Sequence, residues 1–182
     1  MPINSASCNF NWKPEDFSLK DLNNNTLNFY NCFGEKGLLV MFICNHCPYV
    51  IAIVERLSKE AKEMSKLSIN TIAIMSNDVM QYPDDSFENM KLFAKNYNFI
   101  FPYLFDESQE VAKQYGAVCT PDIFGFNYKN LLCYRGRIDS GVMNSDHKKI
   151  DRELYNDMVK IKNDGIGPDK QLNSFGCSIK WK

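Results

Sequence analysis

The chain has 182 residues, of which 45% are hydrophobic and 24% are charged, and its formal net charge at pH 7 is −1. This length and composition predict one globular domain over residues 1–182, and the charge, which has no block of one sign, argues against nucleic acid as a partner. No apolar run approaches the roughly 18 residues of a membrane span, so we expect no membrane partner either.

The seven cysteines are an odd number and are scattered unevenly through the chain. The sequence starts without the basic and apolar regions of a secretory signal. Such a set does not resemble the disulfide framework of a small secreted protein. We therefore expect a cytoplasmic protein, because thiols there stay reduced and a disulfide is more often catalytic than structural.

The first half of the chain predicts a hairpin followed by a strand–helix–strand unit. In residues 16–30, apolar and polar residues alternate on both sides of an Asn-rich turn, as in a β-hairpin. Residues 38–43 and 69–75 are apolar on both faces, which is typical of strands covered by helices on both sides. Between them, residues 48–66 carry apolar side chains at helical spacing, so we predict a right-handed βαβ unit.

The second half alternates shorter helices and strands. The pattern predicts helices over 86–97, 107–115 and 146–164, and strands over 101–105, 123–126 and 131–134. Pro102 favours a position near a sheet edge for the first of these strands. Residues 1–14 are polar and are expected to be loose, whereas the tail at 167–182 is too apolar at its end to be only flexible.

Two cysteines stand where the first buried strand meets the long helix, in the motif Cys44-Asn45-His46-Cys47. Thiols at this spacing can close a small disulfide ring, and the strand–helix–strand surroundings indicate a redox dithiol. A structural zinc site needs four ligands, usually from two paired motifs, and the chain has one such pair and two histidines. Haem attachment needs CxxCH, but Pro48 follows this pair. The missing ligands argue against a metal, and the absence of a glycine-rich phosphate loop argues against a nucleotide. We therefore predict neither a metal nor an organic cofactor.

Three features together resemble the thioredoxin fold: the CxxC motif between a buried strand and a helix, the pair Thr120-Pro121 further along, and a predicted hairpin directly after it. The leading hairpin resembles the peroxiredoxin-related branch, the AhpC/TSA (redoxin) superfamily. The segments VMFICNHCPYV, SNDVMQYPDDS, FPYLFDESQEVAKQYGAVCTPDIF and GCSIKW are similar to its uncharacterised CxxC-containing members. The resemblance implies an α/β thioredoxin fold, in which helices flank a central mixed sheet that carries an N-terminal hairpin extension.

The resemblance also implies roles for the motif. Cys44 would be the nucleophile, with its thiol pKa lowered by the helix N-terminus and with the greater exposure, and Cys47 would be the resolving thiol. His46 would stabilise the Cys44 thiolate, or would be a solvated side chain without a role. No proton acceptor for Cys47 is evident, because Leu38 falls near the position of the buried carboxylate of thioredoxin.

Pro121 matches the proline that thioredoxin folds hold in the cis form opposite the dithiol; the alternative is an ordinary trans turn proline. Thr120 would then offer its backbone to an extended substrate, and we assign Asn45 and Pro48 to substrate binding with it. Cys119 and Cys177 are candidates for additional redox thiols or for plain packing residues. We assign Cys8, Cys32 and Cys133 to structure.

Peroxiredoxins provide an alternative alignment. Their motif is Thr-x-x-Cys, which places Cys47 on the position that attacks peroxide and Cys44 on that of the threonine. The family's preceding proline falls on Val40, so two parts of the motif are missing. Arg135 or Arg137 could supply the guanidinium that such a site needs.

The sequence thus predicts a thiol–disulfide oxidoreductase that reduces or exchanges disulfides of proteins or small thiols through a Cys44/Cys47 cycle. Its partners would be protein disulfides and a thiol electron donor, such as a thioredoxin or glutathione system. The alternatives are a thiol-dependent peroxidase and a redox-gated binding protein without turnover. The sequence does not indicate an oligomeric state.

Overall fold

The computed structural model describes residues 1–141 and 150–182. Within these ranges the helices are α1 (Pro48–Ile51), α2 (Val54–Lys66), α3 (Phe87–Asn96), α4 (Glu110–Tyr115) and α5 (Glu153–Asp164). The strands are β1 (Pro2–Asn4), β2 (Ser18–Asp21), β3 (Thr26–Asn28), β4 (Gly37–Phe42), β5 (Ile69–Met75), β6 (Tyr103–Phe105), β7 (Cys119–Thr120), β8 (Asp122–Asn127), β9 (Leu132–Gly136) and β10 (Phe175–Ser178). No helix among the described residues is long and apolar enough to span a membrane.

The central strands form two ladders with the orders β3-β2-β6-β5 and β4-β8-β9. The backbone N–H of Ile43 donates to the carbonyl of Ile74 at 3.0 Å and links the ends of β4 and β5. Every residue of β4 is buried. Its alternate side chains enter two different hydrophobic clusters, Leu39 and Met41 on one face and Val40 and Phe42 on the other. This two-sided burial is the physical reason for the continuous apolar run.

The predicted N-terminal hairpin is confirmed, with Leu19 of β2 opposite Leu27 of β3 in an antiparallel pair. The Asp21 carboxylate accepts hydrogen bonds from the backbone N–H groups of Asn23 and Asn25, both at 2.8 Å, and so closes the turn. A β-hairpin of this kind adds two strands to the sheet at low cost in chain entropy, because its contacts are local.

The predicted edge position near Pro102 is wrong. β6 lies between β5, to which it is parallel, and β2, to which it is antiparallel. Pro102 comes just before the strand, and its carbonyl accepts a hydrogen bond from Ala73 at 2.9 Å. A proline at this position costs no ladder donor of the strand itself, and the N-terminal hairpin supplies the edge.

The predicted helix over 48–66 is interrupted. Ile53 has φ −120° and ψ −7° and separates α1 from α2. The break lets the two helices pack differently: α1 contacts β10, and α2 contacts β5. The short helix α1 therefore belongs to the surroundings of the CxxC motif rather than to the main helical layer.

The last predicted helix also starts later than expected. Residues 146–149 lie outside the described residues, and residues 150–152 are not helical. Asp151 donates its backbone N–H to the Ser140 hydroxyl at 2.8 Å, and Leu154 donates to the Ile138 carbonyl at 3.1 Å. These contacts hold the segment against the loop after β9. The helix ends at Gly165, as predicted, with φ 73°.

The two ends of the chain form a small sheet of order β1-β10-β7. The expectation that residues 1–14 are loose is therefore wrong for Pro2–Asn4, which pairs with the tail. The tail strand β10 pairs on its other side with β7, the strand that directly precedes Pro121. The apolar C-terminus is thus placed against the CxxC region.

Candidate active site

Cys44 follows β4, and Cys47 immediately precedes α1. The sulfur of Cys44 lies 3.3 Å from the Thr120 hydroxyl, and the sulfur of Cys47 lies 3.2 Å from the Thr120 carbonyl oxygen. The Thr120-Pro121 peptide bond is cis, which is the geometry that the resemblance implies. The chain thus brings the cysteine pair and the Thr-Pro pair together, although they are far apart in the sequence.

Both thiols of the pair are buried. The exposed fraction is 1% for Cys44 and 0% for Cys47. The expected greater exposure of Cys44 is not seen, because β10 and the loop before α3 both lie over this corner of the sheet. A substrate therefore reaches either sulfur only if β10 or the loop before α3 moves aside.

The electrostatic surroundings stabilise the thiolate of Cys47. Its pKa is lowered from 9.0 to about 5, first by the neighbouring thiol of Cys44 and then by the thiol of Cys177 and nearby backbone N–H groups. Burial acts in the opposite direction. The Thr120 carbonyl, which accepts the proton of the neutral thiol, also opposes ionisation. The donors outweigh burial, so the pKa of Cys47 is lower than that of Cys44.

The expectation of a lowered pKa for Cys44 is wrong. Its pKa is raised well above 9.0, because its proton is shared with Cys47, its thiol is desolvated and the Asp85 carboxylate repels negative charge. The helix begins at Pro48, so Cys47 is closer to its first N–H groups than Cys44 is. The sequence identified the motif and the helix, and which of the two cysteines attacks a substrate first stays a prediction.

Asp85 is a site residue that the sequence interpretation missed. It is fully buried, and it accepts hydrogen bonds from the backbone N–H of Asn45 and from the Asn77 side chain, both at 2.7 Å. It lies in a polar loop about forty residues after the CxxC motif. The only signal in the sequence was the clustering of acidic and amide side chains in that loop, which is equally typical of an exposed loop.

His46 lies beside this carboxylate. Its Nδ1 is 2.7 Å from an Asp85 oxygen, but the two atoms are not aligned as a hydrogen bond. The imidazole is stacked on the ring of Tyr82, with centroids 5.8 Å apart and planes at 8°. The imidazole thus lies next to Asp85, the carboxylate that raises the pKa of Cys44, and its role in stabilising a thiolate stays a prediction.

The other predicted site residues occupy different environments. The Asn45 side chain donates to the Asp84 carbonyl and accepts from the Tyr103 hydroxyl, both at 3.1 Å. Both of its polar atoms are therefore bonded within the protein. Pro48 is exposed at the start of α1. Neither environment tests the assignment of these residues to substrate binding.

Cys177 and Cys119 lie on neighbouring strands beside the pair. Cys177 is opposite Thr120 in the antiparallel register and is half-buried. Cys119 is fully buried, its thiol faces the Pro121 carbonyl at 3.7 Å, and burial raises its pKa to about 12. Of the two candidates for an additional redox thiol, only Cys177 lowers the pKa of Cys47.

Among the described residues, one group of side chains could hold a metal ion: Cys44, His46 and Asp85, whose donor atoms lie within 4.8 Å of one another. Thiolate, imidazole and carboxylate are the donors that Zn²⁺ prefers. The Asp85 oxygens, however, already accept hydrogen bonds from Asn45 and Asn77. The geometry is that of a carboxylate built into a hydrogen-bond network, and we assign no metal to it.

A groove of about 560 Å³ runs along the side of the site. Apolar side chains of α1, β10 and the loops after β7 and β9 line it, together with Arg137 and polar residues from both ends of the chain. Its lining includes Tyr49, Pro121, Ile138 and Phe175. The groove reaches the cis-proline, so an extended apolar segment could approach the site along it.

The fold and the cysteine pair define a thiol-based oxidoreductase with a thioredoxin fold. The model of the AhpC/TSA family matches residues 13–138, and the chain belongs to that family. No curated protein matches the sequence significantly.

Solved structures agree with this assignment. An uncharacterised conserved protein from Geobacillus kaustophilus is 35% identical, with a TM-score of 0.92 over 100% of this chain and 97% of its own. A hypothetical protein from Sinorhizobium meliloti 1021 is 34% identical, with a TM-score of 0.90 and 98% coverage of both chains. A secreted disulfide oxidoreductase from Mycobacterium tuberculosis shares the fold at 17% identity, with a TM-score of 0.61 over 79% of this chain and 95% of its own.

Proposed function

We propose that the protein is a thiol–disulfide oxidoreductase in which Cys44 and Cys47 alternate between a dithiol and a disulfide. The observation that carries this proposal is the placement of both sulfurs against the cis Thr120-Pro121 pair, with Cys44 at 3.3 Å from the Thr120 hydroxyl and Cys47 at 3.2 Å from the Thr120 carbonyl oxygen. The pKa of Cys47 is lowered to about 5, whereas that of Cys44 is raised. At neutral pH the reduced pair therefore holds one proton and one negative charge, which is the state in which one sulfur attacks and the other later resolves.

The proposed cycle uses Cys47 as the first nucleophile, the reverse of the order that the sequence suggested. Its thiolate attacks a substrate disulfide, forms a mixed disulfide and releases one substrate sulfur as a thiolate. That thiolate takes the proton of Cys44, and the Cys44 thiolate attacks Cys47 and releases the second substrate sulfur. Two electrons pass from the cysteine pair to the substrate, and an external thiol donor later reduces the Cys44–Cys47 disulfide.

His46 and Pro121 have supporting roles in this proposal. His46 lies 2.7 Å from Asp85 and would offset the charge that disfavours the Cys44 thiolate during the second step. Pro121 lines the groove and, with the adjoining Thr120 backbone, would position an extended substrate, and Pro48 is exposed at the start of α1. The proposed partners are disulfides of proteins or small thiols and a thioredoxin or glutathione system as the donor.

Equilibration in glutathione buffers, with mass-spectrometric mapping of the cysteine pairs, tests the cycle. We expect a reversible Cys44–Cys47 disulfide with a potential between about −270 and −180 mV, the range of known dithiol oxidoreductases. Cys133→Ala is the control, because it removes a buried cysteine of the hydrophobic core. Failure of the pair to form a disulfide in wild-type protein, with the fold intact, would overturn the proposal.

Cysteine variants test the order of attack. Cys44→Ser combined with Cys177→Ser should accumulate a mixed disulfide with glutathione on Cys47, because the nucleophile is present and both thiols that could resolve the adduct are missing. Cys47→Ser should form little adduct on Cys44, whose pKa is raised. The opposite pattern would restore the order predicted from the sequence and leave the disulfide cycle itself intact.

A thiol-dependent peroxidase is the second candidate, and one observation favours it. The thiolate is Cys47, which is followed by Pro48 and aligns with the peroxidatic cysteine of peroxiredoxins. The guanidinium that such a site needs is not in place among the described residues. Arg135 bonds to Asp122 at 2.8 Å and to the Gly116 carbonyl at 2.7 Å, and Arg137 pairs with Glu153.

Peroxide consumption separates the two candidates. A peroxidase would consume hydrogen peroxide catalytically with a thiol donor, and Cys47→Ser would abolish this while Cys133→Ala would not. The proposed oxidoreductase predicts catalytic reduction of glutathione disulfide or insulin and only stoichiometric consumption of peroxide.

The cytoplasm remains the compartment that we propose. All seven cysteines are free in this structure, and an odd, scattered set of thiols is typical of a reducing environment. Fractionation of cells with an antibody against the protein would test this proposal.

A further inference from the structure

Cys177 is held against the cysteine pair from the side of the tail. It lies opposite Thr120 in the β10–β7 register, and the Thr120 carbonyl is 3.2 Å from the sulfur of Cys47. Helix α1 packs on β10, and the rings of Tyr49 and Phe175 meet edge to face at 5.3 Å. The tail strand is thus fixed both to the helix that follows Cys47 and to the strand that precedes Pro121.

Gly176 makes this close approach possible. A Cβ at this position would lie 2.0 Å from the Thr120 carbonyl oxygen and 3.0 Å from Cδ of Pro121. Any other residue would therefore push β10 away from the cis-proline, and with it the neighbouring Cys177. A glycine where two backbones must nearly touch indicates that the position of the strand is specified.

The three thiols differ in their access to solvent. Cys44 and Cys47 are 1% and 0% exposed, whereas Cys177 is half-buried. An external thiolate therefore meets Cys177 before it meets either sulfur of the pair. Cys177 also changes the ionisation of Cys47, because its thiol and its backbone N–H both hydrogen-bond to Cys47 and lower the pKa of Cys47.

We propose that Cys177 is a third redox thiol. It exchanges with the buried Cys44–Cys47 disulfide to form a Cys47–Cys177 disulfide, which a thiol reductant can reach. This inference rests on the Cys44/Cys47 cycle proposed above. It makes Cys47 the common member of an inner disulfide, with Cys44, and an outer disulfide, with Cys177.

The exchange conserves electrons. The Cys177 thiolate attacks the sulfur of Cys47 in the inner disulfide, the Cys47–Cys177 bond forms, and Cys44 leaves with the electron pair and takes the proton that Cys177 released. A reductant thiolate then attacks Cys177, and Cys47 leaves as a thiolate. A second reductant thiolate attacks the mixed disulfide and frees Cys177, so two reductant thiols become one disulfide.

In the first exchange proximity decides which sulfur is attacked, because Cys177 hydrogen-bonds to Cys47. The direction of the second attack follows from leaving-group chemistry. In thiol–disulfide exchange, the sulfur whose thiol has the lower pKa leaves faster. The pKa of Cys47 is about 5, whereas that of Cys177 is raised to about 11, mainly by burial. Attack on the more accessible Cys177 therefore also expels the better leaving group.

The first test uses Cys44→Ser, in which only the outer disulfide is available. The variant is oxidised with diamide and its cysteine pairs are mapped by mass spectrometry. We expect a reversible Cys47–Cys177 disulfide, and we expect Gly176→Ala in the same background to reduce its yield severalfold. A Cys44→Ser protein that is folded and forms no such bond would overturn the inference.

The second test measures the rate at which glutathione, and separately dithiothreitol, reduces the oxidised protein. Cys177→Ser should slow reduction by both thiols by at least about tenfold, because the accessible sulfur is lost. The matched control is Cys8→Ser, which removes the other half-buried cysteine of the chain and should leave the rate unchanged. Wild-type rates in Cys177→Ser would overturn the inference.

The two proposals fail separately. If Cys177→Ser still forms the inner disulfide reversibly but shows a wild-type reduction rate, the role of Cys177 is wrong and the dithiol cycle stands. If no inner disulfide forms in either wild type or Cys177→Ser, the dithiol cycle itself is wrong.

Discussion

Cys32 and Cys47 are both buried, one in the hydrophobic cluster beneath the N-terminal hairpin and the other at the start of α1. The pKa of Cys32 is raised to about 11, mainly because burial disfavours its charged form. The pKa of Cys47 is lowered to about 5, although it is at least as buried. The difference comes from the groups around each sulfur. Cys32 lies in an apolar cluster near the Asp16 carboxylate, which also disfavours negative charge, whereas thiols and backbone N–H groups converge on Cys47.

This comparison shows that burial alone makes a cysteine inert. Cys119 confirms the rule within a short distance of the site, because its thiol faces a carbonyl and its pKa is raised to about 12. A reactive buried thiolate therefore requires donors that the fold must bring from several elements. In this protein they come from the CxxC loop, the first turn of α1 and the tail strand.

The largest expected effect is on activity, and it distinguishes the site of Cys47 from the cluster that contains Cys32. Cys47→Ala should reduce disulfide-reductase activity to the uncatalysed level, because both disulfides of the site include Cys47. Cys32→Ala removes an equally buried thiol and should leave activity unchanged. Turnover of glutathione disulfide by the two purified variants measures this, and residual turnover in Cys47→Ala would place the chemistry on another sulfur.

The pH at which the thiol ionises should differ by several units between Cys47 and Cys32. The reduced protein should contain one thiolate that is lost as the pH falls through about 5, because the lowered pKa keeps Cys47 charged above that value. Cys32 should remain a neutral thiol up to about pH 11. Ultraviolet absorbance of thiolate against pH measures this. The acid transition should vanish in Cys47→Ala and persist in Cys32→Ala.

Asp85→Asn tests the carboxylate beneath the pair. We expect a loss of about 3 kcal/mol in the free energy of unfolding, because buried N–H donors lose a charged acceptor. We also expect a lower pKa for Cys44, because Asp85 raises it. Urea denaturation and the pH dependence of Cys44 alkylation measure the two effects.

Asp106→Asn is the matched control for that change. Asp106 is also fully buried, and it accepts hydrogen bonds from the Ser76 hydroxyl at 2.9 Å and the Ala112 N–H at 3.0 Å. It should lose comparable stability without any change in the reactivity of Cys44. An equal change in both variants would mean that Asp85 acts only through stability.

The smallest expected effect concerns His46. His46→Ala removes the side chain beside Asp85, so the negative charge on the reduced pair becomes less favourable and the pair becomes more reducing. We expect the potential to fall by about 30 mV, equivalent to about 1.4 kcal/mol for a two-electron couple. Glutathione equilibration measures the shift. An unchanged potential would mean that His46 is a surface residue stacked on Tyr82.

The sequence by itself determined the elements whose signals are local. The strands at 38–43 and 69–75 were evident because both of their faces are apolar, and the hairpin was evident from alternation and turn residues. The CxxC motif was recognisable from residue type and spacing, and the Thr-Pro pair from the resemblance to thioredoxin folds. That residues 1–182 form a single domain stays a prediction.

Only the tertiary structure decided which sulfur is the anion. That outcome depends on Asp85, which comes from a distant polar loop, and on Cys177, which β10 places beside Thr120. It also depends on the break at Ile53, which turns α1 toward the tail. Ionisation follows the field and the hydrogen-bond donors at one point in space, and these are contributed by segments whose pairing no local pattern specifies.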